Sequence, residues 1–330
     1  MRLFAKTNFD FMRIMPACVI GSLVLNAIAL GIFFTKGVNK GIDFTGGTEV
    51  QVQLGAAPDL GAVRAAIERA GLASPTVTTI GEAEDEELYV RVAASESAAG
   101  GVAEKDTPNR IVEAVKTTIP AGTAVTLRSQ NYVGPSVAPE LRQKAIWAVV
   151  LSILAMLAYI WFRFRFQWGL GAILALIHDV IFTLGLFCLS GLEFSLPVVA
   201  SFLTLVGYSV NDTIVVFDRI REIQRARGAG NLPRSINEAI NQTLSRTLIT
   251  SFLTWLVCAA LFFFGGEALR GFSFVLVIGI IVGTYSSIYI ASPVIILWER
   301  VFRGGKPAAA AGERGRTVPA GGSEKKSARR

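Results

Sequence analysis

Two carboxylates and one imidazole stand in stretches where ionisable side chains are costly. Asp179 follows His178, the chain's single histidine, inside the apolar run 168–190. Asp212 ends the polar cluster Gly207-Tyr208-Ser209-Val210-Asn211-Asp212 inside the run 196–217. A charged group at the centre of a membrane span costs about 2.5–3.5 kcal/mol on insertion scales, so it has either a partner or a task. Adjacent titratable groups, His178 and Asp179, are what a proton relay would use. The bland alternative is an imidazole that hydrogen-bonds a neighbouring helix, because sequence neighbours face different sides of a helix. Thr204, Tyr208 and Asp212 are spaced by four, which puts hydroxyls and carboxylate on one face. Asn211 and Ser209 crowd the same two turns. Arg246, at the start of the next apolar run, is the expected counter-ion of Asp212. A carboxylate with a movable arginine partner changes its proton affinity as the pair opens and closes. A static ion pair that only fixes helix register is the alternative.

The elements that must hold these groups are membrane helices. The 330 residues are 52% apolar and 17% charged, against about a quarter charged in soluble domains. Charge is nearly absent from 14–35, 145–162, 168–190, 196–217, 247–264 and 271–298. Each run approaches or exceeds the ~20 residues that cross a ~30 Å hydrocarbon layer, so six spans are expected. The first run has basic residues before it but no A-x-A cleavage site after it, and is read as a retained anchor. Cys18, Cys188 and Cys258 fall inside the runs, so neither disulfides nor metal-ligand spacing is indicated.

Arginine and lysine place the short loops. Arg2, Lys6 and Arg13 precede the first span, Arg163 and Arg165 separate the second and third, and Arg219, Arg221, Arg225, Arg227 and Arg234 lie in the segment 218–246 after the fourth. Arg300, Arg303 and Lys306 follow the sixth. By the positive-inside rule residues 1–13 and the C-terminus are cytoplasmic and 36–144 is outside. Segment 36–144, with fourteen acids against eleven bases, reads as a small α+β domain. Strands are expected at 48–54, 76–80, 87–93 and 123–132, the middle two flanking an acidic turn. Helices are expected at 59–72, capped by Asp59, and after Thr107 with Pro108 in its first turn. The order β-α-β-β-α-β is that of the ferredoxin-like unit. Residues 304–330, rich in Gly, Ala, Lys and Arg, are expected to be a disordered basic tail. Gly279 and Gly283 form a small-residue face for helix packing, and Pro293 is expected to kink or tilt a long sixth span. No phosphate-binding G-x-x-x-x-G-K-[ST] is present, and Gly207–Asn211 departs from a nucleophile elbow at its fifth position. No catalytic residues, metal or cofactor are therefore expected.

Several runs together resemble the SecD/SecF family. Gly41-Ile42-Asp43-Phe44-Thr45-Gly46-Gly47 resembles the family's entry into its first periplasmic domain. His178-Asp179-Val180, the run GYSVNDTIVVFDRIRE from Gly207 through Tyr208, Asp218 and Arg219 to Glu222, and Thr243–Ser251 are similar in order and spacing. The single small outer domain favours the SecF side of the family. The resemblance implies an inner-membrane subunit, related to half of a resistance-nodulation-division transporter, that pairs with SecD and joins SecYEG. It implies YajC and YidC as further partners, a translocating preprotein in contact with the periplasmic domain, and no nucleic acid. It also implies that Asp212 and Arg246 serve proton passage driven by the proton motive force. A non-conducting scaffold and a small-molecule proton-coupled efflux transporter are the rival expectations.

Overall fold

A computed structural model describes residues 7–302 except 56–57, 73–74, 81–86, 94–105, 121–122, 165 and 228–230. The expected acidic turn, the basic tail 304–330 and the arginines and lysines at 2, 6, 165, 303 and 306 lie outside the described residues. Helix α1 (Phe11–Lys36) leads through β1 (Asn39–Lys40) and the one-turn α2 (Ile42–Thr45) into the α+β domain. There β2 (Gly47–Leu54), α3 (Leu60–Arg69), β3 (Thr76–Ile80), β4 (Glu87–Ala93), α4 (Thr107–Lys116) and β5 (Val125–Val133) follow in chain order. The strands pair antiparallel in the order β3-β4-β2-β5, so β4 lies between the two strands that α3 connects. That is the split βαβ arrangement expected from the sequence.

The core follows from alternation. Val50, Val52 and Leu54 on β2, with Leu88, Val90 and Val92 on β4, point to one face of the sheet. That face is closed by Val63 and Ile67 of α3 and by Ile111 and Val115 of α4. Asp59 caps α3, accepting from the N–H groups of Gly61 and Ala62, and Gly71 leaves it at φ 77°, a conformation glycine adopts without strain. At α4 the cap position falls on Asp106, so Thr107 is the first helical residue, not the cap.

Among the described residues six helices are long and apolar enough to cross a membrane. Besides α1 they are α5 (Val137–Arg163), α6 (Phe166–Ser190), α7 (Leu196–Arg227), α8 (Leu232–Phe264) and a long last helix. The last is α9 (Gly266–Ser286), a π-helical turn Ser287–Ala291, and α10 (Ser292–Phe302). Pro293, lacking an N–H, sits just after the widened turn, where one hydrogen bond of the ladder is lost. Segment 218–246, expected as a loop, is helical over most of its length, because α7 runs on to Arg227 and α8 already starts at Leu232. Amphipathic sequence with buried Ile220, Ile236 and Ile240 drives this extension.

Two apolar clusters fill the bundle. One gathers Ile160, Trp168, Phe217, Ile236 and Ile295 near the Arg163 end, and the other gathers Phe187, Val198, Leu205, Val275 and Ile280 near the α+β domain. A short β6 (Glu193–Phe194) between α6 and α7 pairs in parallel with β1 and ties the domain to the bundle. Helix α1 packs chiefly on α6. A Cβ on Gly185 would stand 2.4 Å from the Cβ of Ala29, so this crossing requires glycine. Gly185→Val is expected to destabilise the bundle by about 1–3 kcal/mol through overpacking. Thermal unfolding in detergent, with Gly21→Val on the open face of α1 as the neutral comparison, checks this.

Candidate functional site

Between the two apolar clusters lies a polar layer contributed by four helices. Asp179 of α6 is fully buried. Its Oδ1 is 2.9 Å from His178 Nδ1, and its Oδ2 accepts from Ser209 Oγ at 2.5 Å and Ser286 Oγ at 2.8 Å. Neighbours in sequence do meet here, and the imidazole also lies parallel to the Phe182 ring one turn on. Tyr285 lies against the other side of the imidazole, and its hydroxyl reaches Ser22 and the Cys18 carbonyl of α1. Both oxygens of Asp179 are thus engaged by side chains.

Asp212 of α7 is also buried but more sparsely solvated. Its Oδ2 accepts from Ser251 Oγ of α8 at 3.2 Å, and Ser251 in turn accepts from Thr284 Oγ1 of α9 at 2.9 Å. Arg246, the expected counter-ion, is exposed on α8. Among the described residues no ion pair joins it to Asp212. The direct partner is Ser251, five residues further along α8.

The remaining candidates separate into three groups. Ser209 belongs to the Asp179 network, whereas Asn211 and Gly207 are exposed. The Tyr208 hydroxyl is buried with no hydrogen-bond partner among the described residues. Asp218 pairs with Arg163 of α5 and with Arg221 at 3.6 Å, and Arg219 donates to Gln242 of α8 at 2.6 Å. These contacts pin α5, α7 and α8 together at one end. Gly279 and Gly283 admit Leu205 and Ser209 of α7, whose atoms stand 2.5 Å and 3.2 Å from where Cβ atoms would be. Sequence reading missed Ser251, Thr284 and Ser286 as donors. The available signal was hydroxyl residues inside apolar spans facing carboxylates on neighbouring helices.

The glycine-rich run is a joint. Gly41 N–H donates to Phe194 O at 2.9 Å, and Asp43 Oδ2 accepts from Leu196 N–H at 2.7 Å. Asp43 therefore caps the first turn of α7 from a distant part of the chain. Gly46 and Gly47 have φ 74° and 144°, and a Cβ on Gly47 would meet Val92 O at 2.4 Å. Only glycine lets the chain turn there into β2.

Comparisons with known proteins agree with this geometry. Residues 113–301 match the family described as "Protein export membrane protein SecD/SecF, C-terminal", and residues 31–57 match the "SecD/SecF GG Motif". The chain belongs to the SecD/SecF family of protein export membrane proteins. It is 43% identical to "Protein translocase subunit SecF" of Desulfurispirillum indicum over 88% of this chain and 91% of that protein. The subunit of the same name from Pseudomonas aeruginosa is 41% identical over 88% and 91%. The crystal structure of SecDF, "a translocon-associated membrane protein", from Thermus thermophilus superimposes with a TM-score of 0.79 at 36% identity. That match covers 91% of this chain but 40% of the longer SecDF chain.

In this SecD/SecF protein the hydroxyl donors should matter for stability as well as for charge. Ser209→Ala and Ser286→Ala each remove one donor from a buried acid, at an expected cost of about 1–2 kcal/mol. Their combined effect should be non-additive because both act on one oxygen. Thermal unfolding of the two single variants and the double variant checks this, with Thr204→Ala, exposed and bonded only within its own helix, expected to be neutral.

Proposed function

We propose that this chain is a Sec-export subunit of the bacterial inner membrane that pairs with SecD and couples proton entry at Asp212 to movement of its α+β domain. The observation that carries this reading is the setting of Asp212: a buried carboxylate with one hydroxyl donor, on the helix that Asp43 caps from the domain joint. Helix α7 is continuous between the two points, and sixteen residues at 1.5 Å each span about 24 Å. A change in packing at Asp212 is therefore delivered to the joint by one rigid element.

Several features support the remaining assignments. Arg13, Arg163, Arg219, Arg221, Arg234 and Arg300 lie at one set of helix ends, which favours cytoplasmic termini and a periplasmic α+β domain. The Asn211 amide of α7, exposed beside Thr204 and Gly207, and the exposed Arg246 guanidinium of α8 make a face that lipid would not satisfy. SecD is the partner proposed for it, with SecYEG beyond. Residues toward a translocating chain, YajC or YidC are not singled out by this geometry.

The mechanism then runs through charge. Ionised Asp212 holds the Ser251 hydroxyl, and through it Thr284, so α7, α8 and α9 stay in one packing. Protonation removes the charge these donors face and the attraction of the more distant Arg246, and the helices shift. One proton crossing ~100 mV supplies about 2.3 kcal/mol, comparable to the few kcal/mol that separate conformers. Asp179, whose oxygens are saturated by three side chains, is given a structural role. That saturation is also what a purely scaffolding subunit would display.

Asp212→Asn keeps the shape and the hydrogen bond but cannot titrate. Export of a reporter protein is expected to fall to the level of cells lacking the chain, while membrane levels of the SecD-containing complex stay normal. Normal export at normal complex levels would instead establish the scaffold reading.

A further inference from the structure

The joint between the α+β domain and the bundle contains a second acidic pair, far from Asp212. Glu193 stands in β6, on the α6–α7 connection, and Glu49 stands in β2 of the domain. Glu193 is held by Tyr89, whose hydroxyl donates to Oε2 at 3.0 Å, and by Arg91, whose Nη1 is 3.2 Å from Oε1. Arg91 also donates to the Lys40 carbonyl of β1 at 2.9 Å, so the guanidinium clamps both strands of the β1–β6 pair. The Glu49 carboxyl lies beside that of Glu193, and both line one cavity. Two carboxyl groups at such a contact can hold a hydrogen bond only if one of them carries a proton. Arg91 and the Tyr89 phenol already engage Glu193, which leaves Glu49 as the group to take the proton up.

Every element around the pair contributes to its field. From α2 comes Asp43, already committed to the Leu196 N–H. From β5 comes Asn131, which hydrogen-bonds Glu49, and from α9 comes Glu267, paired with Arg270 at 3.4 Å. The cation that contacts the pair is Arg91, which also holds the Lys40 carbonyl of β1. A cavity of about 400 Å³ opens beside the pair, lined by Asp43, Glu49, Glu193 and Glu267 among others, and gives protons a route in. Burial first, and the neighbouring Glu193 second, push the Glu49 carboxyl up to about 7.

We propose that Glu49 and Glu193 form a proton-operated latch, which holds the α+β domain onto the α6–α7 connection while they share a proton and releases it when the proton leaves. Loss of the proton sets two carboxylates against each other across the joint, with one guanidinium between them. Closure raises the proton affinity of Glu49, so closure is at full strength below the ordinary carboxyl value of 4.5. It weakens as pH rises from there to about 7 and levels off above. The latch needs neither Asp212 nor Arg246. It would set how firmly the domain is held according to the pH on its own side of the membrane.

Hydrogen exchange of the full chain in lipid nanodiscs reads the latch directly, because the Gly41 and Leu196 amides are bonded across the joint. After correction for intrinsic exchange, the opening equilibrium at these amides is expected to rise at least tenfold from about pH 5.5 to about pH 8. Glu49→Gln, which imitates the protonated acid, should stay closed at both. Glu193→Gln, which keeps an acceptor for Tyr89 but removes the opposing charge, should shrink the response without abolishing it, because burial still acts on Glu49. Asp43→Asn should loosen the Leu196 amide at both pH values while leaving the response intact. An unchanged wild-type equilibrium, a response that survives both glutamine variants, or a response abolished by Asp43→Asn would each overturn the latch.

Discussion

A carboxylate placed in hydrocarbon must be solvated by the protein itself, and the architecture of this bundle is largely the answer to that requirement made twice. Asp179 and Asp212 sit between two apolar clusters, and the side chains that solvate them come from helices other than their own, with His178 the one exception. Ser209 must come from α7, Ser251 from α8, and Thr284 and Ser286 from α9. The close approach of α7 and α9 that brings them in range depends on Gly279 and Gly283 lacking side chains. Small residues in the last span therefore serve the acids as well as the packing.

The same helix that carries Ser209 and Asp212 begins under Asp43. A helix N-terminus has unsatisfied N–H groups and a partial positive charge, and a carboxylate answers both. Here the carboxylate comes from the entry to the α+β domain, 153 residues earlier in the chain. The glycine-rich run thus sets the domain's angle through Gly46 and Gly47 and fastens it to α7 through Asp43. Position along α7 links polar layer and joint without requiring a chain of side-chain contacts between them.

Much of this was legible in the sequence, and the failures have physical causes. Hydropathy located six spans, and period-two alternation with Asp59, Gly71 and Pro108 located the elements of the α+β domain. Polarity alone set the loop 218–246, and the buried isoleucines of its two amphipathic halves overrode it. Thr204, Tyr208 and Asp212 were placed on one face, yet Thr204 is exposed and Asp212 buried. Eight residues at 3.6 per turn drift by about 80°, which separates the ends of a four-spaced stripe. Arg246 was chosen for its charge, and it acts on Asp212 through that charge alone, while the neutral Ser251 makes the direct hydrogen bond. Which hydroxyl faces which acid depends on how the helices are rotated about their axes, and a single sequence carries no direct signal for that.

The exposed side of α7 and α8 completes the argument. Burying Asp212 behind Ser251 leaves Thr204, Gly207 and Asn211 exposed on another flank of α7, about 80–140° around the helix, and Arg246 exposed on α8. Lipid cannot satisfy an amide or a guanidinium at the depth of a span. The Asn211 amide and the Arg246 guanidinium therefore call for a polar partner, and among the described residues of the chain itself no hydrogen bond reaches Asn211. The aspartates are solvated internally, whereas this face is not, and that asymmetry is the physical reason for proposing a second membrane subunit against α7. A partner that supplies polar groups there would also bring Arg246 into a drier setting, where its attraction to Asp212 grows as the local dielectric falls. Proton affinity at Asp212 would then depend on the docked partner as well as on this chain.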